Sequence, residues 1–520
     1  MVESLPGKEL VAVIDIGSSA IRMVIAQIIS KSEIRNLENV QKPIRFGKDV
    51  FKTGRISHTV MRDGLKILIG FKSLIDEYGV KRVNAIATSA FREAANRDNL
   101  LDQIFVRTGI DVEIIESAEE NRLELIAVEK ALKGQFEFEK RDCLIIEVGT
   151  GHTELILMTK GEVSVTRALP IGSIRLPELS ETDRLDAGLV QRVLKRQIRF
   201  AAAELAREFS LEKINAFIAV GGDVRFLARH LVDKPNENFA TIEPEKFLDF
   251  VKKLAKLSAD DMVAEFRLSY EEAETLFPAL LIYANFLSET KADSVIIPMV
   301  SIRDGLLIEM SQLVSGQKRS DLTQQVTHSA KSIGKKYQYG ESHALCVSRL
   351  ALKLFDLLKE DHGLGSRERL LLEVSAILHD IGVFISASSH HKHGAYLVDA
   401  EEIFGLRKSD KEIVANVIRY HRRSGPKSTH VSYMSLPRTD RAVVAKLAAI
   451  LRVADALDRS HQQKISQFEL ERKIDAYVLW VGDDAGDISM ERQALVEKGE
   501  MFTEVFGALL SLKQGALSRP

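Results

Sequence analysis

The chain has 520 residues, 45% of them hydrophobic, with a formal net charge of −2. This is material for about three or four domains with real cores, and the charge balance excludes a general attraction to nucleic acid or membrane, so any polyanion must meet a local basic patch. Two cysteines in apolar contexts, Cys143 and Cys346, exclude a disulfide framework and point to a reducing cytoplasm. No apolar run is long enough to span a bilayer, and the opening MVESLPGKEL lacks a signal-peptide pattern.

The first element is VAVIDIGSSAIRMVIAQ, residues 11–27. It reads as a buried strand, Val11 to Ile14, a polar turn of Asp15, Gly17, Ser18 and Ser19, and an apolar return, Ile21 to Ala26. Gly17 allows close backbone approach, turn amides can form an anion-binding concavity, and Asp15 can hold Mg²⁺ directly or through water. Alone the pattern is also that of an ordinary hairpin. Residues 31–58 read as further strands and a loop, including Ile44 to Gly47. Thr59–Tyr78 has helical spacing, Val83–Thr88 is a compact strand, Ser89-Ala90-Phe91-Arg92 follows it, and Val112–Ile115 is another strand. Alternation of strands and helices is the α/β signature. Ser117-Ala118-Glu119-Glu120 opens a helix running to about Lys133, in which Ser117 and Glu120 have capping-box spacing; the competing reading makes Glu120 a general base.

LIIEVGTGHTELILM, residues 144–158, repeats the first design. Glu147 matches Asp15, Gly149 matches Gly17 and Thr150 matches Ser18. A shorter version is IAVGGD, residues 218–223. Repetition of a strand–acid–Gly turn more than a hundred residues apart predicts a duplicated domain pair with facing loops and a cleft that takes one polyphosphate. Between these turns and residue 313 the pattern predicts a long helical region over 181–209, whose Arg192, Lys195, Arg196 and Arg199 are a solvated face or a polyanion contact. A strand over 214–220, helix over 244–288, a strand over 294–297 and a closing helix follow. Residues 314–330 read as a polar linker.

Beyond it the pattern is almost wholly helical: 331–360, 366–384, 391–404, 408–422 and 440–462. A short C-terminal segment has strand-like runs such as Ala476–Val481 and a final helix over about 488–512. His343, the pair His379-Asp380 and Asp455 lie on separate apolar helices, with His391, His393 and His421 nearby in sequence. A single histidine on a helix is ordinarily a satisfied residue. Four buried polar groups on apolar helices are costly without a partner, and imidazole with carboxylate suits a divalent metal such as Mn²⁺ or Mg²⁺, whose bound water can attack a phosphate ester.

In order and spacing, VAVIDIGSSAIRM, ATSAFREAAN, IESAEENRL, IIEVGTGHTEL, LPIGSIRL, IAVGGD and VSIRDGLL resemble the exopolyphosphatase / guanosine pentaphosphate phosphohydrolase (Ppx/GppA) family. LLEVSAILHDIGVFIS, HKHGAYLV, VIRYHRR and ILRVADALDRSH resemble the HD-type helical domain of its longer members. The resemblance implies duplicated α/β domains of the actin, sugar-kinase and Hsp70 type (ribonuclease H-like), followed by an all-α HD-type domain and a small C-terminal α/β segment. The boundaries expected are 1–130, 131–313, a linker 314–330, 331–465 and 466–520. It implies release of terminal phosphate from polyphosphate, or of the 5′ phosphate from guanosine pentaphosphate, with Mg²⁺ at Asp15 and Glu147. Glu120 then corresponds to the residue that activates water, and Glu154 to a further acid. Arg22, Arg92, Gly17, Ser18, Ser19, Gly149, Thr150, Gly151 and His152 are the phosphate-binding candidates.

The family's turns usually read DIGSNS and DIGGGSTE; here they are DIGSSA and EVGTGHTE. Glu147 is one methylene longer than the usual Asp, and Thr150 and His152 replace Gly and Ser. In the helical domain His343, His379, Asp380 and Asp455 imply one metal position, with His393 and His421 available to a second. A homodimer in the cytoplasm, without nucleic-acid or membrane partners, completes the expectation. Two other readings stand beside it: an HD-domain hydrolase with regulatory N-terminal domains, and a sensor that binds polyphosphate or guanosine polyphosphates without turnover.

Overall fold

The computed structural model describes residues 9–30, 33–175, 187–207, 209–232, 236, 238–314 and 322–515. The chain divides into two compact units, Met1–Leu322 and Thr323–Pro520. Among the described residues no helix is long and apolar enough to cross a membrane.

In the first unit, β1 (Glu9–Ile16), β2 (Ala20–Ile28), β3 (Ile34–Pro43), β4 (Arg82–Ala87) and β5 (Val112–Ile114) form a sheet of order β3-β2-β1-β4-β5. Further strands are β6 (Asp142–Val148), β7 (Thr153–Thr159), β8 (Glu162–Leu169), β9 (Ala216–Val220), β10 (Phe239–Ile242) and β11 (Val295–Pro298). They form a second sheet, which reads β8-β7-β6-β9-β11 from one edge, with β10 added antiparallel at the other. The two sheets therefore have the same strand plan: a three-strand antiparallel meander, then parallel strands beside its first member.

The duplication extends to an irregularity. A β-bulge falls between Ile25 and Ala26 in one meander and between Leu157 and Met158 in the other. Each is ten residues beyond its turn acid, Asp15 or Glu147. Bulges reset strand twist and pin register, so their recurrence at the same step marks one ancestral unit used twice. Val11 to Ile14 are fully buried because helices cover both faces of the sheet, which is why that strand is an unbroken apolar run.

The helix Ile302–Val314 closes the unit by returning to the first sheet. Leu306, Leu307 and Met310 pack with Val11, Val13, Val24, Ile86 and Leu123. Gly305 makes that return possible, since a Cβ there would stand 2.2 Å from the carbonyl oxygen of Leu123.

The second unit packs helices Thr323–Lys336, Glu341–Leu357, Ser366–Leu378, His390–Ala400, Lys408–Tyr420 and Arg438–Ala456 around one apolar core. It ends with a small sheet, β12 (Phe468–Arg472), β13 (Ala476–Val481) and β14 (Leu509–Gln514), in that order.

Several sequence expectations are corrected. Ile44 to Gly47 is not a strand: the helix Phe46–Thr53 starts there, burying Phe46, Gly47 and Val50. The helical stretch 244–288 is three helices, Pro244–Leu254, Ala259–Phe266 and Tyr270–Ser288, because Ser258 and Ser269 each form a capping box that starts a new one. The linker expectation overruns, since Thr323 already begins a helix whose Val326, Ala330 and Ile333 are core. The final helix is two helices, Ser489–Lys498 and Glu500–Phe506, followed by a strand. Of the helix expected over 181–209, Ala187–Leu205 is present and Arg192, Lys195, Arg196 and Arg199 are exposed along it; 181–186 lie outside the described residues.

Candidate active site and metal centre

Both turns of the first unit are built alike. The amide of Gly17 donates to Ala20 O at 3.1 Å, and that of Gly149 to His152 O at 2.9 Å. These two amides are therefore spent inside the turns, which corrects the expectation that they hold phosphate. The turn carbonyls are taken up from behind: Ser18 O by Gly47 N, Ser19 O by Ile44 N, Gly149 O by Ser173 N, and Thr150 O by the amides of Ile174 and Arg175. In a trans peptide the N–H points opposite to the C=O. The amides of Ser19 and Ala20, and of Thr150 and Gly151, thus point away from their buttresses.

Close packing fixes both turns. Ser18 Oγ lies 3.0 Å from Ser89 Oγ. A Cβ on Gly172 would stand 2.4 Å from Thr150 O, and one on Gly151 would overlap the Phe51 ring at 2.1 Å. Tyr283 accepts from Val148 N at 2.9 Å and donates to Val220 O, so one hydroxyl ties the second turn to the GGD turn. The GGD turn then starts the helix Gly222–Leu231.

The turn acids share one electrostatic site. Asp15 pairs with its cross-strand neighbour Arg22 at 3.4 Å; in the second copy the corresponding partner of Glu147 is another acid, Glu154. Burial, then the charges of Glu120 and Asp15, push Glu147 up to about 7. Burial also raises Asp223 to about 7. Glu120 is raised by burial, against the pull of Arg92. The Arg92 guanidinium contacts Glu120, donates to Ile115 O at 2.8 Å and lies 4.0 Å from Glu154. Asn121 Nδ2 approaches Glu154 Oε2 at 3.3 Å.

The capping-box reading of Ser117 and Glu120 is wrong. Glu116 is the N-cap residue and makes no side-chain cap, so Ser117 is already inside the helix and Glu120 is left to Arg92. His152, a phosphate-binding candidate in the sequence, lies beside the second turn as an uncharged ring. Burial, with Arg175 and Arg92, lowers it to about 3, leaving a neutral ring with Nε2 3.4 Å from Glu93.

Sequence reasoning missed Glu124, Arg225 and Arg303. Glu124 sits one helical turn after Glu120, and burial followed by Glu147, Glu154 and Glu120 raises it well above the carboxylate range. The spacing of Glu120 and Glu124 was a visible signal. Arg225 and Arg303, both lowered by burial, act on each other and on Arg22; nothing local in the sequence brings them together. Glu147 stands opposite Glu154 and is buried within the field of Glu120 and Asp15, a clustering of carboxylates that a hard cation would relieve; the residues present fit Mg²⁺.

In the second unit four imidazoles converge. His379 Nδ1 contacts Ala376 O at 2.8 Å, His390 Nδ1 contacts Ala387 O at 3.0 Å, and His421 Nδ1 contacts Ile418 O at 2.6 Å. His343 Nδ1 contacts Asp458 Oδ2 at 2.8 Å. Each backbone acceptor fixes the tautomer with its proton on Nδ1, so Nε2 turns inward as an electron-pair donor. Asp380 links two groups: Oδ2 is 3.5 Å from His379 Nε2, while Oδ1 is 3.3 Å from His390 Nε2 and 3.7 Å from His421 Nε2. The sets His343–His379–Asp380 and Asp380–His390–His421 each have ligand atoms close enough for one ion. Nε2 of His343 and of His379 is buried without a hydrogen-bond partner.

His390 stands where His393 was expected. Ser389, at φ 59°, starts the helix so that His390 is buried facing His421 and His393 is only half-buried outside either set. Asp455 Oδ1 is 3.7 Å from His343 Nε2, but its Oδ2 is paired with Lys498, which sequence reasoning missed.

Two copies of one α/β plan, meeting at a site of paired amide turns, carboxylates and arginines, define the class of two-lobed phosphate-handling proteins. The chain belongs to the Ppx/GppA phosphatase family: the description of that family matches residues 24–313, and its domain III matches residues 327–492. It is 23% identical over 456 residues to the guanosine-5′-triphosphate,3′-diphosphate pyrophosphatase of Photobacterium profundum, covering 87% of this chain and 86% of that one. A protein of the same name from Aliivibrio fischeri is 23% identical over 450 residues, covering 85% and 86%. The crystal structure of an exopolyphosphatase from Cytophaga hutchinsonii shares the fold, with a TM-score of 0.52 and 21% identity over 60% of this chain and 99% of that one.

Proposed function

We propose that the first unit hydrolyses a terminal phosphoanhydride, of inorganic polyphosphate or at the 5′ end of guanosine pentaphosphate, with Glu120 activating the attacking water. The observation that carries this reading is Glu120 itself. It is buried beside Arg92, within the electrostatic reach of Asp15 and Glu147, with a raised proton affinity. Glu120 takes a proton from water as the water oxygen bonds the terminal phosphorus. The bridging P–O bond breaks, its electron pair goes to the penultimate phosphate, and orthophosphate leaves.

Phosphoryl transfer needs alignment and charge neutralisation more than covalent help. The amides of Ser19 and Ala20, and of Thr150 and Gly151, are aimed to hold successive phosphoryl groups. Asp15 and Glu147 would hold Mg²⁺, which supplies charge neutralisation when bound. Arg92 has two acceptors, Glu120 and Ile115 O, that a phosphoryl oxygen would compete with.

The helical unit supports a second site. The converging Nε2 atoms of His343, His379, His390 and His421, with Asp380 between them, fit a pair of divalent ions of the Mn²⁺ or Mg²⁺ kind, in an HD-type arrangement. Such ions would acidify bound water for attack on a phosphate ester.

Phosphate release from polyphosphate and from pppGpp by wild type, Glu120→Gln and Asp380→Ala tests both readings. The cleft reading expects Glu120→Gln to lose roughly 10²–10⁴-fold and Asp380→Ala to keep its rate. Loss confined to Asp380→Ala moves the chemistry to the helical unit. Tight binding without release by wild type would make the chain a sensor.

A further inference from the structure

Lys498 is the last residue of the helix Ser489–Lys498, and it is 8% exposed. Its ammonium contacts Asp455 Oδ2. The same lysine is pinned by its backbone, because Lys498 O accepts from Arg452 Nε at 3.1 Å. Arg452 is one turn before Asp455 on the helix Arg438–Ala456. Both residues of the contact are therefore tied to the helix Arg438–Ala456.

The other oxygen of Asp455 faces inward. Oδ1 is 3.7 Å from His343 Nε2, and that nitrogen and His379 Nε2 have no hydrogen-bond partner. Asp455 is thus split between two cation sites, one filled by Lys498 and the other framed by His343, His379 and Asp380. A buried lysine–carboxylate pair is ordinarily structural. Here the second carboxylate oxygen faces His343 Nε2, whose ring joins His379 and Asp380 in one set of ligand atoms close enough for an ion.

We propose that Lys498 is a resident counter-ion of Asp455, holding one carboxylate oxygen out of the ligand set and weakening divalent-ion binding at the His343–His379–Asp380–Asp455 position. This rests on the metal-centre reading of the helical unit. Lys498 keeps Asp455 satisfied when no ion is bound, so the unit folds without metal. It limits Asp455 to one oxygen toward an incoming ion. It also places a positive charge beside that ion, which reduces affinity because like charges repel strongly where water is excluded. Lys498 is a positioning residue: it acts through Asp455 and is not itself a ligand.

The test is Mn²⁺ titration of the chelator-treated full chain, by calorimetry and by electron paramagnetic resonance of free Mn²⁺. The proteins are wild type, Lys498→Gln, Lys498→Arg and Asp380→Ala. Binding lost in Asp380→Ala is assigned to the helical unit and separated from any ion in the first unit. Lys498→Gln keeps a donor to Asp455 and removes the charge; it is expected to bind this Mn²⁺ about tenfold more tightly or better. Lys498→Arg keeps the charge and is expected to stay near wild type, so it remains informative if the glutamine variant folds poorly. Wild-type binding that Asp380→Ala leaves intact, or no binding at all, overturns the metal centre. Asp380-dependent binding that is equal or weaker in Lys498→Gln overturns the role of Lys498 alone. An arginine variant that binds about tenfold more tightly than wild type also overturns it, because the charge would then not be what weakens binding.

Discussion

Replacing Glu147 by Gln should stabilise the metal-free chain at alkaline pH and weaken its response to Mg²⁺. Burial, Glu120 and Asp15 push this carboxyl from its ordinary 4.5 to about 7 in the folded protein. The folded state therefore binds more protons than the unfolded state between those values, and stability falls as pH rises through the window. At about 1.4 kcal/mol per pH unit the carboxyl alone carries roughly 3 kcal/mol. Because the repulsion is shared with its acidic neighbours, a gain on the order of 1–3 kcal/mol is expected for the variant at pH 8. Little change is expected at pH 4.5, where the folded carboxyl is protonated and the unfolded one is about half so, leaving only a few tenths of a kcal/mol between the states. The assay is urea unfolding in EDTA at both pH values, comparing variant with wild type so that other titrating groups cancel. Mg²⁺ should raise the wild-type midpoint at pH 8 far more than at pH 5, and raise that of the variant clearly less, any ion in the helical unit contributing equally to both. A variant less stable than wild type at pH 8, or an equal Mg²⁺ response in both, would refute the idea that Glu147 is a cation-seeking carboxylate.

Tyr283→Phe removes the hydroxyl that serves both Val148 N and Val220 O; the first unit should lose about 1–3 kcal/mol in urea unfolding, the cost of buried groups left unpaired. Gly151→Ala places a Cβ 2.1 Å from the Phe51 ring. It should cost about 1–3 kcal/mol by overpacking and lower phosphate release, and adding Phe51→Ala should restore part of the stability. In the helical unit, His390→Ala should lower Asp380-dependent Mn²⁺ binding by at least the roughly 10–100-fold that loss of an outer-shell partner costs, because His390 is in the ligand set itself. His393→Ala should leave it unchanged, and the same titration reads both.

The duplicated frame was legible because two constraints leave local marks. A strand covered on both faces must be an apolar run, and an acid followed by Gly at its end is easily matched to a second copy, as Asp15-Ile16-Gly17 is to Glu147-Val148-Gly149. The helical unit was legible for the same reason in its 3.6-residue periodicity. Illegible features depended on phase or on distance in sequence. Three histidines within 390–393 could each have faced the centre; the left-handed Ser389 decides it, and a serine gives no warning of that conformation. Ser117 and Glu120 have cap spacing, but the helix starts one residue too early for it. Lys498 is 43 residues from Asp455, in a segment whose apolar pattern reads as one helix. Gly17 and Gly149 announce tight turns, but only the hydrogen bonds show that their own amides are consumed in making them.

The central claim, that the two turns grip one phosphoanhydride chain, is tested most directly by a crystal structure of the Glu120→Gln protein with inorganic tetraphosphate and Mg²⁺. Phosphoryl oxygens should lie within hydrogen-bond distance of the Ser19 or Ala20 amide and, further along the same chain, of the Thr150 or Gly151 amide, with Mg²⁺ held by Asp15 and Glu147. Tetraphosphate bound at one turn only, or elsewhere with both turns unvisited, would contradict it.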